Sequence, residues 1–436
     1  MTRAVLVVGV ALFLWPQLVL GQGVDAPRGG VFGGGPATTT GGSRLDVTAT
    51  VSQALDSETL PELQSRIQQG DPQSGGYSSM LIASANYERL RRRTQVAGTA
   101  FSAFRYYQRL DQVSSVTHSA GLGGTVRLSS RSTLEMNQTA AYSPSYLYQL
   151  FPSVAPPAVG DAIPAAPDYR VDQTQSYSYN STATFAVGRA RGHRASLTAE
   201  RTSTDFRGGS DRPDLDVVAG RAKWSHGVGR TGAFSAEYEY REGEFGFGGT
   251  GTEQRLRMGG EYSPALSVSR RAHFRFSLAP SSLHIPESAT NAETTGTVYK
   301  LEGDVSAEYP FLRSWALGGG YRRGLEYIPV LHEPVFNDSA RVELRGLVSR
   351  RLDVSAAAGY AVGQSALNRT NKPFDTYTGT IRARYGVARS FALYAEWLYY
   401  YYNLHGQAAL APDLPSTFQQ HGLRVGLMLW ARPVDR

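Results

Sequence analysis

The chain has no cysteine in its 436 residues. That excludes disulfides, thiolate metal sites and a lipid anchored on a cysteine. Lysine is almost as scarce, standing only at 223, 300 and 372, so arginine carries nearly all the cations behind a net charge of +7. No basic run exceeds Arg91–Arg93. A basic balance can signal nucleic acid or a membrane surface, and the export signal described below argues against nucleic acid as a partner. Beyond the N-terminus no apolar run approaches the roughly 20 residues that a transmembrane helix needs. The eight histidines are scattered, without the His-x-x-x-His spacing of a metal site. No Gly-x-Ser-x-Gly elbow occurs, and the glycine-rich stretch 246–251 lacks the Lys-Ser/Thr of a phosphate loop. The chain is therefore expected to be no enzyme and to carry no cofactor.

What is present is alternation. Residues 252–278 read TEQRLRMGGEYSPALSVSRRAHFRFSL. Arg255, Arg257 and Glu261 alternate with Leu256, Met258 and Tyr262; His273 and Arg275 alternate with Phe274, Phe276 and Leu278. Side chains on a strand point alternately to opposite faces, so each stretch has one charged and one apolar face. The pattern recurs. Phe234, Ala236, Tyr238 and Tyr240 alternate with Ser235, Glu237, Glu239 and Arg241; Val342 and Leu344 with Arg341, Glu343 and Arg345; Ile381, Ala383 and Tyr385 with Thr380, Arg382 and Arg384. Either a soluble sandwich or a membrane barrel fits such faces.

The N-terminus and the order of the breaks decide between them. Met1-Thr2-Arg3 is a short cationic start, Ala4 to Leu20 is apolar, and Val19-Leu20-Gly21 suits cleavage. Residues 1–21 read as a secretory signal peptide, and 22–42, rich in Gly, Pro and Thr, as a flexible leader. From Arg44 the period-two pattern persists, apart from a short candidate helix over 59–69. One set of breaks is short: 91–93, 129–131, 189–193, 228–231, 264–270, 310–313, 349–351 and 387–389. The other set is mostly longer: 56–75, 109–114, 144–172, 207–214, 245–251, 285–293, 329–334, 364–373 and 406–417. The two sets alternate strictly, as periplasmic turns and outer loops do in an outer-membrane barrel. Eight turns and nine loops separate about 18 strands. The expected fold is all-β: a transmembrane antiparallel up-and-down barrel over 43–431 with a short periplasmic tail at 432–436, in the outer membrane of a Gram-negative bacterium, against lipid and lipopolysaccharide.

In such a barrel the charged face lines the lumen. The candidate pore-lining residues are Glu237, Glu239, Arg241, Arg255, Arg257, Glu261, His273, Arg275, Arg341, Glu343, Arg345, Arg382, Arg384, Glu396 and Arg424. Rings of arginine favour anions; the same residues can instead pair across strands and stiffen the wall without selecting anything. The run Trp397 to Tyr402 is the densest aromatic cluster. Trp397, Tyr399 and Tyr401, with Trp430 near the C-terminus, are candidates for an interfacial girdle, since Trp and Tyr favour the headgroup level. A sugar-stacking platform is the alternative. The proline-rich loop 144–172 either folds inward to narrow the channel or caps the mouth.

The signal peptide, the opening LDVTATVSQALDSETL at 45–60 and the short arginine-marked turns across 43–431 resemble the large exported barrels grouped as β-barrel porin 2-like proteins. Some of that family accompany exopolysaccharide secretion loci. Two features depart from it. Only Asp56 and Glu58 stand where the family often has an Asp-rich first outer loop, and Trp430 is followed by Ala431–Arg436 instead of ending the chain. The resemblance implies a conduit for small solutes or polysaccharide, with a periplasmic export protein as partner in the second case. A plugged structural or adhesive barrel and a barrel-rim hydrolase are the other readings.

Overall fold

A computed structural model of the chain describes residues 42–56, 76–107, 114–143, 175–188, 192–207, 214–245, 249–266, 271–286, 296–312, 314–326, 334–366, 374–403 and 417–435. The expected signal peptide, most of the leader, the candidate helix at 59–69 and the loop 144–172 lie outside these residues.

The described residues form eighteen strands: β1 Ser43–Asp56, β2 Gly76–Leu90, β3 Thr94–Tyr107, β4 Ser114–Arg127, β5 Ser132–Ser143, β6 Gln175–Gly188, β7 His193–Arg207, β8 Leu215–Val228, β9 Gly232–Phe245, β10 Gly249–Tyr262, β11 His273–Ile285, β12 Gly296–Phe311, β13 Trp315–Glu326, β14 Val335–Leu347, β15 Leu352–Ser365, β16 Phe374–Ala388, β17 Phe391–Asn403 and β18 Thr417–Asp435. Each pairs antiparallel with the next, and β18 pairs with β1. The sheet thus closes on itself. Closure removes the free edges of the sheet, which a membrane interior demands. The turn order read from the sequence matches the chain: each expected short break joins two strands at one end of the barrel, and each expected long one joins them at the other. One boundary differs. Strand β18 runs to Asp435, so residues 432–435 continue the wall where a tail was expected. A register shift opposite Leu45 and Val47 accommodates them, and Arg432 Nε donates to Asp46 at 2.9 Å.

Small devices close the tight turns. At two of them a serine side chain takes over backbone donors: Ser129 Oγ accepts from the amides of Arg131 and Ser132, and Ser349 Oγ from those of Arg351 and Leu352. Between β8 and β9 the chain turns at Gly229, whose φ of 64° suits glycine.

The two faces of the wall differ as the alternation demands. On β1, Val51 is 54% exposed while Thr50 and Ser52 are 2% exposed. Leu256, Met258, Tyr262, Phe274, Phe276 and Leu278 are all exposed, on the outward face. Aromatic side chains gather on that face at two levels. Near the long-loop end, His118, Tyr142 and Tyr177 form one chain of ring contacts and Tyr360, Tyr377 and Tyr401 another. Near the short-turn end stand His193, Trp224, His226 and Phe234, with Tyr262 on Phe274 and Phe311 on Trp315. An outward apolar band between two aromatic belts is the surface of a transmembrane barrel. The chain is an outer-membrane β-barrel protein.

Candidate functional site

The interior face divides into two arcs. One, over β17, β18 and β1 to β3, is mostly apolar or hydroxyl-bearing, with Asp46, Arg105, Glu396, Arg424 and Arg432 set among those residues. Met80, Ile82, Phe101 and Ala103 form a buried cluster, and Ala392 and Met428 form a second, joined by Trp430. The inward tyrosines Tyr394, Tyr400 and Tyr402 are buried as well. The other arc, over β7 to β12, is charged, and the candidate site sits there.

Its centre is Glu239. Register places Glu239 opposite Arg255 and Glu237 opposite Arg257 on the β9–β10 hairpin. Arg255 Nη2 donates to Glu239 at 2.6 Å, and Arg257 reaches Glu237 at 3.5 Å. Arg221 on β8 approaches Glu239 at 3.2 Å and also bonds Glu200 on β7. Arg241 lies 3.3 Å from Glu239 and 3.2 Å from Glu253. The second amine of Arg255 reaches Glu302 on β12 at 2.5 Å, across the whole width of β11. That reach needs small residues on the strand between. Ser281 stands opposite Arg255, and Ala279, fully buried, stands opposite Glu302. Three arginines and four glutamates thus form one continuous network over five strands. Charges so far from water are tolerable only when paired in this way.

The other candidates fall into smaller groups. Glu396 on β17 accepts from Arg382 at 2.5 Å and stands 3.7 Å from Arg424. Arg384 pairs with Asp353 at 2.7 Å, Arg345 with Glu308 at 2.7 Å, and Arg341 with Glu343 at 3.2 Å. Near the short-turn end Arg275 pairs with Glu261 at 3.2 Å, both partly open, and His273 Nδ1 shares a 2.9 Å hydrogen bond with Ser263. All nine expected lining arginines therefore have a carboxylate partner. Arg221, Glu253 and Glu302 were not singled out from the sequence. Alternation could have found them: Arg221 is followed by Ala222 and Trp224, and Glu302 sits between Leu301 and Gly303.

Of the four aromatic candidates, Trp397, Tyr399 and Tyr401 face outward, and Trp397 and Tyr399 both contact the ring of His421. Trp430 does not join them. Leu427 and Leu429 occupy the outward positions of β18, so Trp430 falls on the inward face with Met428, with the Arg432 guanidinium 5.1 Å from its ring centre. Among the described residues no group of three or more His, Asp or Glu side chains is arranged to hold a metal.

The chain matches no protein-family model and no curated protein. Solved structures that it resembles are outer-membrane barrels. OccAB2 of Acinetobacter baumannii is 10% identical over 90% of this chain and 98% of its own, with a TM-score of 0.44. OpdQ of Pseudomonas aeruginosa is 11% identical over 90% and 98%, with a TM-score of 0.43. The ferric-catecholate import receptor Fiu of E. coli is 10% identical over 89% and 81%, with a TM-score of 0.40.

Proposed function

We propose that the chain is an outer-membrane pore for small polar solutes, with little preference for anions. One observation carries this reading: a closed eighteen-strand wall whose outward face is apolar and whose inward face bears the charges. Barrels of about 16 to 18 strands enclose an aqueous channel. The pairing of every expected lining arginine supports weak selectivity, because a cation already neutralised at 2.5–3.7 Å offers an anion little field. A polysaccharide conduit draws less support. Sugar stacking needs open aromatic faces, and Tyr394, Tyr400 and Tyr402 are buried.

The test is swelling of proteoliposomes in sugars of rising size. Uptake of mono- and disaccharides that falls off with size is expected for an open pore. Folded protein that admits none of them, even with its extracellular mouth cleared, would overturn the reading in favour of a plugged structural or adhesive barrel.

A further inference from the structure

Arginine is handled in two ways by this chain. Inside the barrel, every arginine expected to line the lumen has a carboxylate partner. At the short-turn end the arginines stand without one. Eight short connections join the strands there, from 91–93 to 389–390. By sequence they hold thirteen arginines and no Asp or Glu, with at least one arginine in each. The nine long connections at the other end hold thirteen acids against six Lys and Arg. A general taste for arginine would act on both ends alike, so it does not account for this split.

Arginines from six of the eight short connections are among the described residues: Arg91–Arg93, Arg131, Arg230, Arg271, Arg350 with Arg351, and Arg389. All are exposed, and none has an ion-pair partner. Acids near the same ends of the strands are already engaged. Glu88 accepts from Gln95, Glu261 pairs with Arg275, Glu308 with Arg345 and Asp353 with Arg384. In the closed sheet these six turns fall at β2–β3, β4–β5, β8–β9, β10–β11, β14–β15 and β16–β17, so the cations encircle the barrel. They also stand at a defined depth. Tyr262 and Phe274 flank one short connection, Phe311 and Trp315 flank another, and Trp224 and His226 lie just before a third, all in the outward belt at that end. Trp and Tyr mark the headgroup level, which puts the turns beyond them beside the lipid phosphates.

We infer that the short-turn rim is a binding surface for anionic phospholipid headgroups, of the phosphatidylglycerol or cardiolipin type, in the leaflet it meets. In an outer-membrane barrel that is the periplasmic leaflet. A guanidinium offers a phosphate two parallel hydrogen bonds, and an exposed arginine beside an anionic leaflet is drawn to it. A full circle of cations suits lipid, which surrounds a barrel on all sides, better than a docked protein, which covers one side. Phosphates bound there neutralise the ring, as the carboxylates neutralise the arginines of the lumen. The inference needs a membrane barrel and holds whether or not the lumen conducts.

Spin-labelled lipids test it on the folded protein in phosphatidylcholine bilayers. At low salt a phosphatidylglycerol label should be held at the protein surface at least about threefold more strongly than a phosphatidylcholine label, and the ratio should fall toward one as salt approaches about 1 M. A variant combining Arg91→Gln, Arg92→Gln, Arg93→Gln, Arg350→Gln and Arg351→Gln should keep the heat-dependent gel shift of a folded barrel and lose much of the low-salt preference. The salt dependence is read on the native chain, so the test stands even if that variant does not fold. Equal retention of the two labels by the native barrel, or a preference that the substitutions leave unchanged, would overturn the inference. Retention on purified peptidoglycan with no lipid preference, lost in the same variant, would assign the ring to the cell wall and overturn it as well.

Discussion

The two interior arcs of the barrel solve the same problem with opposite chemistry. Both must fill the inward face of a wall whose outward face is given over to lipid. From β17 through β3 the filling is mostly apolar, with Met80, Ile82 and Phe101 packed as in a soluble core and a few separate charges such as Arg105, held by Ser78, and the Glu396–Arg424 pair. From β7 to β12 it is a lattice of arginine and glutamate. The apolar arc gains stability from burial, and each side chain there acts nearly alone. In the charged arc no residue acts alone, because removing one charge leaves its buried partners without a counter-ion.

The contrast can be broken most forcefully at Arg255. Arg255→Ala leaves Glu239 and Glu302 buried without their shared cation and should cost about 4 kcal/mol. Urea unfolding in lipid, read by the heat-dependent gel shift of the folded barrel, would measure it. Adding Glu239→Gln and Glu302→Gln should return most of that loss. On the apolar side, Phe101→Ala should cost about 3 kcal/mol through the cavity it leaves, and no second substitution among charged residues should rescue it. A comparison within the network follows. Glu239 pairs with three arginines, so Glu239→Gln should cost about 2 kcal/mol, whereas Glu253 has one ion pair within 4 Å, with Arg241 at 3.2 Å, and Glu253→Gln should change stability by about 1 kcal/mol at most. If the two substitutions proved equal, the network would not be centred on Glu239. The smallest effect is expected at the open short-turn end. Arg275→Gln should cost about 0.5 kcal/mol, fading further as salt is raised.

Much of this architecture is legible in the sequence. A transmembrane strand must alternate and the two ends of the barrel use different connections, so strand number and orientation follow from Arg255–Met258, Phe274–Leu278 and the order of the breaks. The pairing of Glu237 and Glu239 with Arg255 and Arg257 is legible for the same reason, since a tight hairpin dictates its register. Other features hide because they depend on neighbours far along the chain. Glu302 joins Arg255 only because β11 carries Ala279 and Ser281 between them. Leu325 and Phe336 alternate in phase with lipid-facing residues, yet both are buried, and nothing local shows it. Trp430 follows the alternation faithfully; the expectation of a lipid-facing aromatic near the chain end overrode a parity that Leu427 and Leu429 already fixed.

Single-channel recording across a planar bilayer under a potassium chloride gradient tests the central claim most directly. A pore lined by paired charges should show steady conductance and a reversal potential close to zero. Folded protein that never conducts, or steps that reverse near the chloride equilibrium potential, would contradict it.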